Sequence, residues 1–259
     1  MLALSVSIKN GVLLVSGTEA GDTITVDVVN DNLSVAINAA AFTVPQASAK
    51  SVKIVAGAGN DRVTITDNVA IPAAVYGGAG NDRLTGGKTP CQIFGEAGHD
   101  TISGGAGRDV ISGGPDIDTV DYSARIENLK ITLDGIANDG SLSAENGKGE
   151  EDNIMADVEN VIGGSGNDLI IGSSGRNTLQ GRRGDDTLKG MAGDDVLVGG
   201  PGADYLFGGA GDDLLLATDL TSGDRLDGGE GFDSASIDSV LGIRDFLIRV
   251  EDVISILET

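Results

Sequence analysis

Residues Gly190–Leu216 read GMAGDDVLVGGPGADYLFGGAGDDLLL, which divides into three nines: GMAGDDVLV, GGPGADYLF and GGAGDDLLL. Glycine opens each nine and returns at the fourth place, aspartate holds the sixth, and leucine holds the eighth. A short fixed period is the mark of a repeat architecture, and the frame extends to either side of this stretch. It begins at Gly163 with GGSGNDLII, GSSGRNTLQ and GRRGDDTLK. Beyond the quoted stretch, after two inserted residues at Ala217 and Thr218, it continues as DLTSGDRLD and GGEGFDSAS to Ser236. An earlier array runs unbroken from Gly77 to Asp121 as GGAGNDRLT, GGKTPCQIF, GEAGHDTIS, GGAGRDVIS and GGPDIDTVD. An outlying copy, AGAGNDRVT, starts at Ala56, and a degenerate NVAIPAAVY lies between, after three extra residues.

The unit has a physical reading. Alternating glycines permit a turn too tight for residues that avoid positive φ. The three residues after the aspartate make a short strand, in which only the middle one points inward. That inward place holds Val63, Val75, Leu84, Ile93, Ile102, Ile111 and Val120 in the first array. In the second it holds Ile170, Leu179, Leu188, Leu197, Leu206, Leu215, Leu226 and Ala235. One aliphatic residue per nine closes no core alone, but stacked units do, which predicts a solenoid with an aliphatic spine.

Stacking also aligns the aspartates. At a coil spacing of about 4.8 Å, two carboxylates repel by roughly 3 kcal/mol at an effective dielectric near 20. A column of them calls for cations between its members. Tight glycine turns aim backbone carbonyls beside the carboxylates, and an all-oxygen set suits a hard divalent ion, Ca²⁺ before Mg²⁺. With one histidine and one cysteine in the chain, little is present for zinc or copper.

Composition agrees. The chain of 259 residues has 17 basic and 40 acidic residues, a formal net charge of −23, which argues against nucleic acid or an anionic membrane as partner. No apolar stretch has the length of a membrane-spanning helix, so no membrane insertion is expected. MLALSVSIKN shows no secretory signal pattern. The single cysteine, Cys91, excludes an intrachain disulfide.

The run of nines resembles the glycine–aspartate nonapeptide of the RTX (repeats-in-toxin, hemolysin-type) calcium-binding family, G-G-x-G-x-D-x-U-x. The phrases DTVDYS and DVENVIG resemble the spacers that interrupt such arrays in secreted members. The resemblance implies an all-β fold, a parallel β-roll (β-solenoid) in two stacked arrays, with two nines per coil. Several Ca²⁺ ions would be held at the edges by sixth-place side chains and glycine carbonyls. By that parity, one edge of the first array carries Asp61, Asp82, Asp100 and Asp118, and the other carries Ala73, Cys91 and Asp109, leaving it largely empty. In the second array one edge carries Asp168, Asp186, Asp204 and Asp224. Its other edge carries Asn177, Asp195, Asp213 and Asp233, with a weak site at Asn177. The glycines implied as carbonyl donors are Gly78, Gly80, Gly98, Gly105 and Gly107, then Gly164, Gly166, Gly184, Gly193, Gly202, Gly209 and Gly211.

Five segments follow. Residues 1–55 alternate apolar and polar with NG, AGD, ND and PQ breaks, a β-rich N-terminal cap. Residues 56–121 are the first roll, 122–162 a spacer, 163–236 the second roll and 237–259 a C-terminal cap. DVENVI at 157–162 and RVEDVI at 249–254 point to one larger duplication.

No catalytic residue is expected. A G-x-S-x-G elbow and an H-E-x-x-H zinc motif are absent. His99, Arg182 and Arg183 read as turn surface, Glu150–Asp152 as a solvated loop with an extra calcium site as the alternative, and Cys91 as a decayed repeat. The expected function is a calcium-binding β-roll module of a secreted or cell-surface protein, folding as the ion binds. Its export route would be a C-terminal signal, or the chain would be a fragment of a larger polypeptide. The alternatives are an adhesion protein using the roll as a rod for an unknown surface ligand, or a polysaccharide-acting enzyme on a β-helix scaffold.

Overall fold

The computed structural model describes residues 4–142, 150–218, 223–238 and 245–256. Among them there is no α-helix, only one 3₁₀ turn at Gln46–Ser48. No helix among the described residues is long and apolar enough to cross a membrane. Parallel strands stack into a β-solenoid. The chain forms two compact units, Met1–Val120 with Glu150–Val158, and Asp121–Gly149 with Glu159–Thr259.

In the first unit, successive nines send strands alternately to two opposed sheets. One sheet stacks Val12–Ser16, Ser51–Ala58, Ala73–Ala79, Cys91–Ala97, Val110–Ser112 and Asn153–Ile154 in parallel. The other stacks Thr23–Val29, Arg62–Ile65, Arg83–Thr85, Thr101–Ser103 and Thr119–Asp121, also in parallel. Register places like on like: Val15, Ile54, Val75, Ile93, Ile111 and Ile154 form one inward column. Ile24, Val63, Leu84, Ile102 and Val120 form its counterpart. Ten of these eleven are wholly buried and Val15 is nearly so. Alternation along each strand, one residue in and the next out, leaves the core a single aliphatic layer from each sheet.

The N-terminal segment supplies the first coil of this roll. Val12–Ser16 pairs antiparallel with Ser5–Lys9 across Asn10–Gly11, and Thr23–Val29 pairs antiparallel with Asn32–Ile37 across Asn30–Asp31. All four turn residues take positive φ, the geometry that matches the twist of a two-residue hairpin. Asn32–Ile37 then pairs with Ala40–Pro45.

The second unit repeats the plan. One sheet stacks Leu129–Thr132, Leu169–Ile171, Thr187–Ala192, Tyr205–Ala210, Arg225–Glu230 and Phe246–Ile248. The other stacks Asn160–Ile162, Thr178–Gln180, Val196–Val198, Leu214–Ala217, Ser234–Asp238 and Asp252–Ile256. The predicted spacer thus supplies strands to both units: Leu129–Thr132 pairs with Leu169–Ile171, and Asn153–Ile154 with Val110–Ser112.

The turns explain the glycines. Gly78 takes φ +114, and a side-chain carbon there would overlap the carbonyl oxygen of Gly57 in the preceding coil. Backbone approaches backbone that closely only where no Cβ intervenes.

Candidate metal centres

Each sixth-place aspartate lies at the end of a glycine turn, just before its strand, and is nearly fully buried: none from Asp61 through Asp233 is more than 3% exposed. Their backbone N–H groups reach forward. The N–H of Asp61 donates to Oδ1 of Asp82 (2.8 Å), that of Asp82 to Asp100 (2.7 Å), and that of Asp100 to Asp118 (2.8 Å). Asp22, outside the nines, precedes them and donates to Asp61 at 2.6 Å. On the opposite edge Cys91 donates to Asp109 (2.8 Å) and Asp109 to Asp152 (2.9 Å).

The second unit has two such ladders. In one, Leu129 donates to Asp168, Asp168 to Asp186, Asp186 to Asp204, and Asp204 to Asp224, at 2.8–2.9 Å. In the other, Asn177 donates to Asp195 (2.7 Å), Asp195 to Asp213 and Asp213 to Asp233 (both 2.9 Å), and Asp233 to Oε2 of Glu251 (2.7 Å). The structure therefore brings the expected carboxylates together in four columns. Asp61 stands in the first column despite the three extra residues that follow it in sequence.

Three members stand outside the expected columns. Asp22 has a faint signal, since GTEAGDTIT keeps glycine first, aspartate sixth and isoleucine eighth. Asp152 lies in the run expected to be a solvated loop, with a calcium site as the alternative; it is wholly buried in the sixth place, while Glu151 beside it pairs with Arg108 at 2.6 Å. Glu251 retains only the sixth-place acid and the eighth-place aliphatic of RVEDVI.

One oxygen of each carboxylate is thus satisfied. In seven of them the other is not: Oδ2 of Asp61, Asp82, Asp100, Asp186, Asp195, Asp213 and Asp233 is buried without a hydrogen-bond partner. A buried, unpaired carboxylate oxygen is costly. Burial, before the neighbouring carboxylates, pushes the acids of Asp82, Asp186 and Asp195 up to about 7 and those of Asp61 and Asp213 up to about 6. Asp100, Asp168 and Asp233 are raised for the same first reason. Burial, with Asp109 nearby, also holds Cys91 as the neutral thiol.

The first residues of three columns differ. Oδ2 of Asp22 accepts from the N–H and hydroxyl of Thr18 (2.6 and 2.9 Å), and Oδ1 from Asn38. Oδ2 of Asp168 accepts from the N–H of Gly164 at 2.8 Å. Asn177 accepts from the N–H of Ser173 (2.7 Å) and donates to the carbonyl of Glu159 (3.0 Å). At the start of these three columns the protein's own groups meet both polar atoms of the side chain.

The orphaned oxygens face oxygen. A side-chain carbon built on Gly95 would run into Oδ2 of Asp100 and the carbonyl oxygen of Gly113; on Gly190, into Oδ2 of Asp195 and the carbonyl of Gly208. Gly77 and Gly208 repeat the pattern with Asp82 and Gly95, and with Asp213 and Gly228. First-place glycines therefore leave a small cradle between one carboxylate and the next coil's carbonyl. Sequence reading named second- and fourth-place glycines instead. Gly78, Gly80, Gly98, Gly105, Gly184, Gly193, Gly202, Gly209 and Gly211 take positive φ and pack against backbone of the preceding coil. Gly107, Gly164 and Gly166 lie in equivalent turns without positive φ. Among the described residues no three carboxylate, imidazole or thiol groups converge on one point. An ion at the cradle would take one or two side-chain oxygens and fill its shell from carbonyls, the donor set that suits Ca²⁺. The residues present fit that ion.

A parallel β-roll whose glycine turns carry columns of buried carboxylates is the class of protein that fold and site define. A sequence profile of the RTX calcium-binding nonapeptide repeat matches this chain in four copies, at residues 75–88, 92–120, 162–197 and 180–215. The chain carries the repeats of the RTX calcium-binding family. Comparison with curated proteins gives no match.

Proposed function

We propose that both units are calcium-binding β-roll modules that complete their folding only when the carboxylate columns are neutralised. The observation that carries this is the set of buried Oδ2 atoms without donors, each but that of Asp61 beside a first-place glycine cradle. Asp61, Asp82, Asp100, Asp109 and Asp118 would hold ions in the first unit. Asp186, Asp195, Asp204, Asp213, Asp224 and Asp233 would do so in the second, with glycine carbonyls completing each shell. Asp168 and Asn177, whose side chains are already met by protein donors, serve as column caps and weak ligands. Bound calcium supplies positive charge between acids that otherwise repel and takes up oxygens that otherwise lack partners. The chain does the rest: the first-place glycines keep the cradle open, and the Oδ1 bonds hold each acid in line.

Calcium modules outside cells commonly bind at roughly 10⁻⁴–10⁻³ M, and RTX repeats occur in secreted proteins. This supports a role in a secreted or surface protein, loose where calcium is scarce and rigid where it is plentiful. The test is a far-UV spectrum of chelated chain titrated with calcium, together with ion counting by native mass spectrometry. Expected is a cooperative gain of β-structure and several bound ions. A spectrum indifferent to calcium, or a folded chain with no ions, would overturn the reading.

A further inference from the structure

The sixth-place ladders have one direction: the N–H of a coil donates forward, to the carboxylate of the next coil. The fifth place, the variable position of the repeat, carries bonds in the opposite direction. The N–H of Asn81 donates back to Oδ1 of Asn60 at 2.9 Å, and that of His99 back to Asn81 at 3.0 Å. The N–H of Ile117 reaches Nδ1 of His99 at 3.1 Å. In the second unit Asn167 donates to Asn128 (2.9 Å), Asp185 to Asn167 (3.0 Å) and Ala203 to Asp185 (2.9 Å). On its other edge Asp212 donates to Asp194 (3.1 Å) and Phe232 to Asp212 (2.9 Å).

Each backward bond joins the same two coils as a forward one. Between the coils of Asp186 and Asp204, the forward bond is Asp186 N–H to Asp204 and the backward bond is Ala203 N–H to Asp185, 2.8 and 2.9 Å. Adjacent residues thus exchange reciprocal side-chain-to-backbone bonds across one coil boundary, as the two ends of a capping box do. The backward acceptors are exposed and the forward ones buried. Every backward ladder stops where the fifth place lacks an acceptor, at Ile117, Ala203 and Phe232. The short column of Cys91, Asp109 and Asp152 has Pro90, Arg108 and Glu151 in the fifth place, and no backward bond is seen there among the described residues.

We infer that the fifth-place Asn, Asp and His side chains form a second, ion-independent ladder that fixes coil register and so positions the sixth-place carboxylates for metal. They are positioning residues, not ligands. For the backward bond an acceptor atom is enough, since Asn60, Asn81, Asn128 and Asn167 accept as Asp185, Asp194 and Asp212 do. The inference adds to the calcium reading but stands on bonds that contain no ion.

The test compares Asp185→Ala with Asp185→Asn in the full chain, by amide hydrogen exchange in saturating calcium and by the calcium concentration for half-maximal folding. Losing this bond is expected to lower the folding equilibrium constant about fivefold, which raises that concentration by a smaller factor because several ions share the transition. In Asp185→Ala the Ala203 amide should exchange at least about tenfold faster, while the Tyr205 amide, bonded to the Asp186 carbonyl at 2.8 Å, keeps its protection. Asp185→Asn should match the parent in Ala203 protection and should need no more calcium than the parent to fold. Ala203→Asn, which offers a new acceptor to the next coil, should lower the calcium requirement. Unchanged Ala203 protection in Asp185→Ala, or an asparagine variant that behaves like the alanine variant, overturns the inference. A parent chain indifferent to calcium would sink the calcium reading alone, and the exchange comparison would still decide this one.

Discussion

The two oxygens of Asp186 have different fates. Oδ1 accepts the N–H of Asp168, and Oδ2 is buried with no donor. In Asp168, eighteen residues earlier, both are satisfied, by Leu129 and Gly164. Asp186→Asn should therefore remove at least one calcium from the native mass spectrum and weaken the remainder, whereas Asp168→Asn should leave the count unchanged. Equal losses would show that the cap is a full ligand. A second residue-scale prediction concerns backbone. Met191 occupies a second-place turn position at φ +87, where an L-residue costs of order 1–2 kcal/mol. Met191→Gly relieves that strain at a smaller entropic cost, so the calcium-loaded form should gain about 1 kcal/mol, read as a higher melting temperature. A lower melting temperature would mean that the exposed Met191 side chain contributes packing on the Phe207 side of the sheet.

The coil is the element, and its edges are unequal. The column through Cys91 is short because Ala73 and Cys91 offer no carboxylate, although both residues stand in register with the acids' strands. Cys91 is buried at 2% exposure, and its N–H already binds Asp109. Cys91→Asp should add one ion to the calcium-loaded chain and raise the calcium needed to fold, because the new carboxylate is buried before it is neutralised. An unchanged ion count would place the limit in the carbonyls. At this scale the sequence was highly legible. Glycine, aspartate and an aliphatic at fixed places declared turn, column and spine, and the expected inward residues are all buried. The coils at the margins were less so. Asp22, Asp152 and Glu251 keep the acid and the aliphatic but lose most glycines. Hairpins, a long excursion or a closing strand replaced those turns, and none of these repeats at nine.

For the whole molecule, a formal charge of −23 is a burden on any compact state. Removing calcium from the loaded chain should raise the radius of gyration toward the about 55 Å of an unfolded chain of this length. X-ray scattering across a chelator titration reads this directly, and an unchanged radius would contradict it. What sequence could not deliver was the fate of the second carboxylate oxygen and the direction of the fifth-place bonds. Both depend on which atom of one coil lies against which atom of the next, and a one-dimensional period does not encode that.

Successive nines alternate between sheets, and the strands differ in kind. Thr187–Ala192, Tyr205–Ala210 and Arg225–Glu230 are six residues long, and Thr178–Gln180 and Val196–Val198 only three. The molecule therefore has a reading frame of its own, counted in coils. Excising residues 181–198 removes a full coil and rejoins like with like, so the shortened chain should still fold on calcium, with fewer ions. Excising only 190–198 is a frameshift in space: every downstream strand crosses to the opposite sheet and every downstream acid to the opposite column. The smaller deletion should do the greater damage, and an ancestor of this protein could lengthen safely only by whole coils.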